Sequence, residues 1–356
     1  FDFNFGLRGI IAIAPVDAQY KPRDRDTDVR DTNYLVIHGS HDGDVTSFAG
    51  SATYSRVEFD ACRDCFKTGF YLIGANHGQF NTSWGDSDMS LPMSTRLDRA
   101  HLISGEDQRA VAATLFAAFL EAAVHGRDDY RAFLAQPDRA HALLPAGARY
   151  LTQYRDARQR VLADFEEDAD VRSASLPGAT IAGQELALWQ ESEVGLKWNT
   201  ADTADVKIGW APDDARENDP SYAIGWAPLE LRADATVSLA LAPATATPGD
   251  VDDYEPPDET NFTLELSDAH GTTARLRLSQ RRALPKQIDP VVFKLHELQE
   301  NRSEVVFQRY RFEVGEWLDA NPELDVSAIS GLRLVFDQTA ASAIWVDDIA
   351  LSNEGY

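Results

Sequence analysis

Asp42 and His77 are the two side chains of this 356-residue sequence whose types and settings suit a proton relay. Each closes an apolar run of strand length. Tyr34-Leu-Val-Ile-His-Gly-Ser-His-Asp-Gly-Asp-Val45 stops at Gly and Asp, and Phe70-Tyr-Leu-Ile-Gly-Ala-Asn-His-Gly-Gln-Phe80 stops at Gly, Asn and His. Runs of Val, Ile, Leu and Tyr that break at Gly predict buried parallel strands opening into loops. In an open α/β sheet the working residues collect at the carboxyl ends of strands, so Asp42 and His77 are expected on one rim. There a carboxylate can hold one imidazole nitrogen and fix the tautomer. The other nitrogen is then free to take a nucleophile's proton.

The elements that must position this pair read as follows. Gly9-Ile-Ile-Ala-Ile-Ala-Pro15 is a first strand, and the Arg/Asp-rich stretch 17–31 a surface connection. Residues 46–65 are expected to form the crossover helix. Ser104-Gly-Glu-Asp107 starts a helix with a Ser cap and acids in the first turn. That helix runs from Gln108 to Val124, turns Val111, Leu115, Phe119 and Ala122 to one face, and ends at Gly126. The polar loop after His77 carries Trp84, which with Phe80 could line an acyl pocket.

These motifs resemble those of the α/β-hydrolases over roughly the first 145 residues. His38-Gly-Ser-His-Asp42-Gly-Asp-Val45 is similar to that family's His-Gly-x-x-Asp-x-x-Val acid segment, and Asn76-His77-Gly78 to its catalytic His turn. The order, acid and then His 35 residues later, also matches. The resemblance implies a Ser-His-Asp triad acting on carboxylic esters, glycan-linked ones included, with no cofactor for catalysis. Asp42 is then the orienting acid, with Asp44 as runner-up, and His77 the base. The family's Gly-x-Ser-x-Gly elbow is absent, since Gly39-Ser-His-Asp-Gly43 has His41 where the serine belongs. In the family a strand ending in Ala-Pro follows the nucleophile helix. The expectation is therefore that an upstream half of the same protein supplies the serine and the oxyanion hole. The alternative is a non-catalytic glycan-binding or assembly protein on a degenerate hydrolase scaffold.

The formal charge of −25 disfavours nucleic acid or an anionic membrane as partner, and no apolar run approaches the ~20 residues of a membrane span. Residues 1–150 carry 20 acids against 15 bases, and residues 151–356 carry 38 against 18. That shift predicts two domains, 1–148 and 149–356. Cys62 and Cys65 read as a local disulfide or two plain thiols. A disulfide leans towards a secreted or periplasmic setting.

From Arg149 onward short alternating runs follow one another, separated by turn clusters, as in an antiparallel β-sandwich or jelly roll. The expected fold class is thus α/β followed by an all-β sandwich. Residues 247–258 form an acidic loop within it. Asp164-Phe-Glu-Glu-Asp168 and Ile344-Trp-Val-Asp-Asp-Ile-Ala-Leu351 resemble the first and last strands of galactose-binding-like domains. That resemblance implies a structural Ca²⁺ shared by Glu166 and Asp347. Trp189, Trp198, Trp210, Trp226 and Trp345 could form a sugar-stacking surface, although sandwich core is the competing fate.

Overall fold

Period-two alternation sends one set of side chains from each apolar run to each face of a sheet. In a computed structural model, which describes residues 4–17, 19, 28–198, 200–212, 218–249, 253–295 and 303–353, both faces are covered. Strands β1 (Gly9–Ile13), β2 (Asn33–Gly39) and β3 (Phe66–Leu72) pair in parallel, and β4 (Tyr150–Asp156) adds antiparallel to β3. Leu35, Ile37, Phe66 and Phe70 pack beneath two helices, α2 (Gly105–His125) and α3 (Asp128–Ala135). Tyr34, Val36 and Tyr71 pack on the other side with Phe48 and Tyr54 of the segment carrying α1 (Gly50–Ser55).

Helix α2 is capped as its sequence requires. Ser104 Oγ accepts from Asp107 N at 3.0 Å, and Gly126 closes the helix at φ 67°. The crossover differs from expectation, because only Gly50–Ser55 is helical within 46–65. Glu304 holds Ser47 and Phe48 outside the helix, and Glu58 leaves it to bridge Arg30. Cys62 and Cys65 then close a disulfide loop. Of the polar connection, residues 18 and 20–27 lie outside the described residues, as do 250–252 of the acidic loop.

The rest of the chain is mostly β. β5 (Arg160–Ala163), β6 (Thr180–Gln184), β7 (Leu188–Gly195), β8 (Thr200–Trp210), β9 (Ser221–Leu229) and β10 (Thr236–Pro243) come first. β11 (Glu259–Thr260), β12 (Thr263–Asp268), β13 (Thr273–Arg277), β14 (Leu284–Pro285) and β15 (Gln308–Glu313) follow. A short helix α4 (Val314–Ala320), β16 (Ile329–Val335) and β17 (Ser342–Ser352) complete it. One sheet runs β15-β10-β17-β8-β7 with β5 also on β17; the other runs β13-β12-β16-β9-β6. Between them lies a core that includes Trp210, Trp226, Phe262, Phe312 and Trp317, so this part is a β-sandwich. β4 lies beyond the expected boundary at 148 yet belongs to the first sheet, and the chain enters the sandwich at β5. Among the described residues no helix is long and apolar enough to cross a membrane.

Charged groups knit sheet to sandwich. Arg155 on β4 bonds Asp348 on β17 at 2.7 Å and Asp164 at 3.0 Å. Lys67 on β3 is buried, donates to the Tyr54 and Ser55 carbonyls at 3.0 Å, and has its ammonium pushed down to about 8 by burial.

Candidate active site

The acid turn and the His turn are stitched together before any side chain acts. Ser40 N donates to Leu72 O, and His41 N to Ala75 O, each at 2.9 Å. Gly39 allows this approach, because a Cβ there would stand 2.4 Å from the Ala75 carbonyl oxygen. Gly39→Ala therefore has to push the two turns apart. The expected cost is about 1–3 kcal/mol, read as a lowered melting temperature. A variant that melts with the native protein would show that the turns are not in close contact.

Within this frame His77 Nδ1 lies 2.9 Å from Asp42 Oδ2, so Nδ1–H donates to the carboxylate. Asp42 is buried, and its second oxygen accepts from Asp44 N at 2.9 Å and Val45 N at 2.7 Å. The turn thus satisfies one carboxylate oxygen with backbone and aims the other at the imidazole. Asp44 Oδ2 stands 3.8 Å from Nε2, too far to replace Asp42 and on the other nitrogen. The hydrogen bond to Asp42 raises the His77 imidazole above its ordinary value, against a smaller opposing effect of burial.

The sign of that shift sets a pH dependence. A raised folded value means that the stability from this pair is fully present below the unfolded imidazole value of ~6.5. It is lost as pH rises through the folded value. An NMR titration of the His77 ring should find its midpoint above ~6.5, moving down in Asp42→Asn. A midpoint at or below that value in the unaltered protein would contradict the hydrogen bond.

Asp88, which local sequence did not single out, ties the loops together. Its Oδ2 accepts from Gly43 N at 2.8 Å and His77 N at 3.1 Å. Its Oδ1 accepts from Asn76 Nδ2 at 2.6 Å and Gly78 N at 2.8 Å. Gln108, fully buried in α2, clasps the Asn76 backbone from beneath through both ends of its amide. The only sequence signal for Gln108 was a polar side chain on an Ala-rich helix. The acid loop is also braced from the sandwich. Lys197 Nζ donates to Thr46 O at 2.7 Å, and Trp198 Nε1 to Thr46 Oγ1 at 2.9 Å.

Trp84 is exposed and stacks on the face of the His77 ring at 5.7 Å and 12°. Phe80 packs instead against the core beneath α2. His41, hydrogen-bonded to Ser40 Oγ at 2.8 Å, is pushed down to about 4 by burial and by His101. It stays neutral and does not enter the relay.

Glu166 and Asp347 both act on the buried Asp205 carboxyl. Glu166 Oε1 accepts from Ala204 N at 2.7 Å, while Asp347 Oδ1 accepts from Asp348 N at 2.6 Å. Asp205 hydrogen-bonds Asp347, and burial raises both carboxyls well above the usual range. Two buried carboxyls in contact resist ionising together, because burial and their mutual repulsion both favour the protonated form. Among the described residues no three His, Cys, Asp or Glu side chains are arranged to hold a metal. Of the five tryptophans, Trp210, Trp226 and Trp345 are buried and Trp189 packs on the core. That removes the continuous stacking surface and leaves Trp198 exposed.

No family model matches the chain, and no curated protein matches it. Solved structures resemble it in part. An exo-β-agarase shares 13% identity over 55% of this chain and 25% of its own, at a TM-score of 0.36. The family 30 carbohydrate-binding module of a cellulosomal cellulase of Clostridium thermocellum shares 9% identity over 55% of this chain and 99% of its own, at 0.35. A family 11 carbohydrate-binding module from Clostridium thermocellum, in complex with a mixed-linked tetrasaccharide, shares 9% over 55% and 95%, at 0.31. The chain thus spans a quarter of the agarase and nearly all of each module.

Proposed function

We propose that this chain is the acid- and base-bearing part of a serine hydrolase of the α/β-hydrolase type that acts on carboxylic esters. The observation that carries the reading is the 2.9 Å contact between Asp42 and His77 at the carboxyl ends of adjacent parallel strands. A serine hydroxyl attacks the ester carbonyl while His77 Nε2 takes its proton. Asp42 stabilises the imidazolium, which then protonates the departing alcohol. Water repeats the sequence on the acyl-enzyme. An upstream segment of the same protein contributes the serine and the oxyanion donors. The edge strand β1 supports this, for it pairs only with β2 among the described strands, and Phe5, Leu7, Ile13 and Val16 around it are exposed. Unpaired apolar edges of this kind are normally covered.

The test is fluorophosphonate labelling of the full-length gene product, followed by peptide mapping. One modified serine in a Gly-x-Ser-x-Gly setting is expected, with labelling lost in His77→Ala. Folded full-length protein that takes no label would end the reading.

A second reading gives the sandwich a glycan-binding role, with the first sheet as scaffold. It rests on a cleft of about 760 Å³ at one end of the sandwich. Asn218, Asp219, Arg275, Arg333, Asp337 and Gln338 ring it above a buried Trp210–Phe336 stack at 4.0 Å. The structural neighbours named above include modules of this kind rather than esterases. Affinity electrophoresis against a panel of polysaccharides should show retardation that Asp337→Ala relieves. Equal mobility on every gel would refute it.

A further inference from the structure

Seven consecutive residues, Asp42 to Phe48, make up the acid of the relay and the turn that follows it. The first four are held by loops of the first sheet. Asp42 Oδ1 takes the Asp44 and Val45 amides, Asp88 takes that of Gly43, and His38 hydrogen-bonds the Val45 backbone. The last three are held from the sandwich. Lys197 Nζ donates to Thr46 O at 2.7 Å, and Trp198 Nε1 to Thr46 Oγ1 at 2.9 Å. Glu304 accepts from Ser47 Oγ and, at 2.7 Å, from Phe48 N.

Strand alternation explains how Glu304 arrives there. Along β17, Ile344 and Val346 enter the sandwich core and Trp345 takes the opposite face. The segment leading into β15 crosses that face, where Val305 and Phe307 pack with Trp345, Val194 and Ala201. Glu304 thus meets the turn between β7 and β8, and its Oε1 also accepts from Lys197 N at 3.3 Å. Glu304 is 4% exposed. A carboxylate is stable at such depth only where donors surround it, and the acid turn supplies two of them. Burial pushes the Lys197 ammonium down, and Glu304, Asp289 and Asp42 oppose that shift, so its charge is felt at the acid itself. An apolar contact of the same volume would join two layers without desolvating a charge. Hydrogen bonds add direction: they fix the backbone that follows Asp42, and with it the aim of Oδ2 at His77.

We propose that Glu304, with Lys197 and Trp198, positions the acid turn for the relay, so that the sandwich is a working part of the active site and not a separable module. The inference rests on the hydrolase reading for its turnover arm alone. The geometry of the Asp42–His77 pair tests it without a nucleophile.

The experiment follows the His77 ring by NMR titration, and kcat on p-nitrophenyl acetate, in the full-length protein. Glu304→Gln keeps the length of the side chain and loses its charge. Glu304→Asp keeps the charge and falls one methylene short of Ser47 and Phe48. In both, the His77 midpoint is expected to move down towards that of Asp42→Asn, and kcat to fall about 10²-fold with KM little changed. Trp198→Phe, at an exposed site, removes only the bond to Thr46 Oγ1 and should move both readouts the same way by less. Asp268→Asn is the control. It weakens a sandwich turn in which Asp268 accepts the His270, Thr272 and Asp325 amides, so it should lower the melting temperature and leave His77 and kcat unchanged. A native midpoint and kcat in folded Glu304 variants, or in Trp198→Phe where neither Glu304 variant folds, would overturn the proposal. Equal shifts in Asp268→Asn would do the same. A shifted midpoint in protein that takes no fluorophosphonate label would count against the hydrolase reading and uphold the positioning of the pair.

Discussion

On the proposed hydrolase reading, Asp42→Asn should lower ester turnover by the serine-bearing protein about 10⁴-fold while leaving the fold intact. The two halves of that expectation come from the two oxygens of one carboxylate. Oδ1 accepts the Asp44 and Val45 amides, a task that an asparagine carbonyl performs equally well. Oδ2 accepts from His77 Nδ1, and an asparagine NH₂ placed there would present a donor to a donor. The imidazole then turns to the tautomer whose Nε2 carries the hydrogen, and it can no longer take a proton from the nucleophile. kcat should fall with KM little changed, because the interaction grows only as the imidazolium forms. Turnover of p-nitrophenyl acetate within tenfold of the native enzyme, with an unchanged melt, would remove Asp42 from the relay.

Arg155→Met should destabilise the protein by about 3 kcal/mol, measured as a lower urea midpoint. Arg155 faces Asp348 and Asp164 in a cluster that also contains Asp205 and Asp347. Methionine keeps much of the volume but leaves the Asp348 carboxylate buried with fewer cations. The pH dependence follows from the directions of the shifts. In the native protein burial opposes ionisation of Asp348, but Arg155 and Lys67 hold its carboxyl below the usual range. Its contribution is therefore present above the unfolded value of ~3.9 and lost as pH falls through the folded value. Asp205 and Asp347 are shifted upward, so their ionisation weakens the fold as pH rises. In the variant Asp348 should join them, and mild acidification should restore part of the lost stability. A variant as stable as the native chain at neutral pH would show that Arg155 does not pin β4 to β17. Arg232→Met, at an exposed pair, is the comparison and should change nothing measurable.

Local order governed everything the sequence by itself determined here. The runs at Tyr34–Gly39 and Phe66–Leu72 had to become buried strands, because Val, Ile, Leu and aromatic side chains on both faces of an extended chain are stable only when both faces are covered. Ser104 and Gly126 bounded α2 because an N-cap hydroxyl and a left-handed C-terminal residue answer to backbone geometry within a turn. Alternation after Arg149 foretold a sandwich, and the strands' end residues foretold one rim for Asp42 and His77. What only the tertiary structure decided were partnerships between residues far apart in the chain. Nothing local distinguishes Asp88 from other loop acids, or Gln108 from a helix-surface amide, until the turns they hold are folded against them. Glu304 reaches back across more than 250 residues to Ser47 and Phe48, which helped cut the expected crossover helix to six residues. Whether a tryptophan on a strand faces core or solvent depends on which sheet face is covered, and three of the five turned inward. Side-chain periods are set by the backbone a few residues at a time. Convergence of charges and donors is set by the packing of whole layers, for which a linear sequence carries no local period.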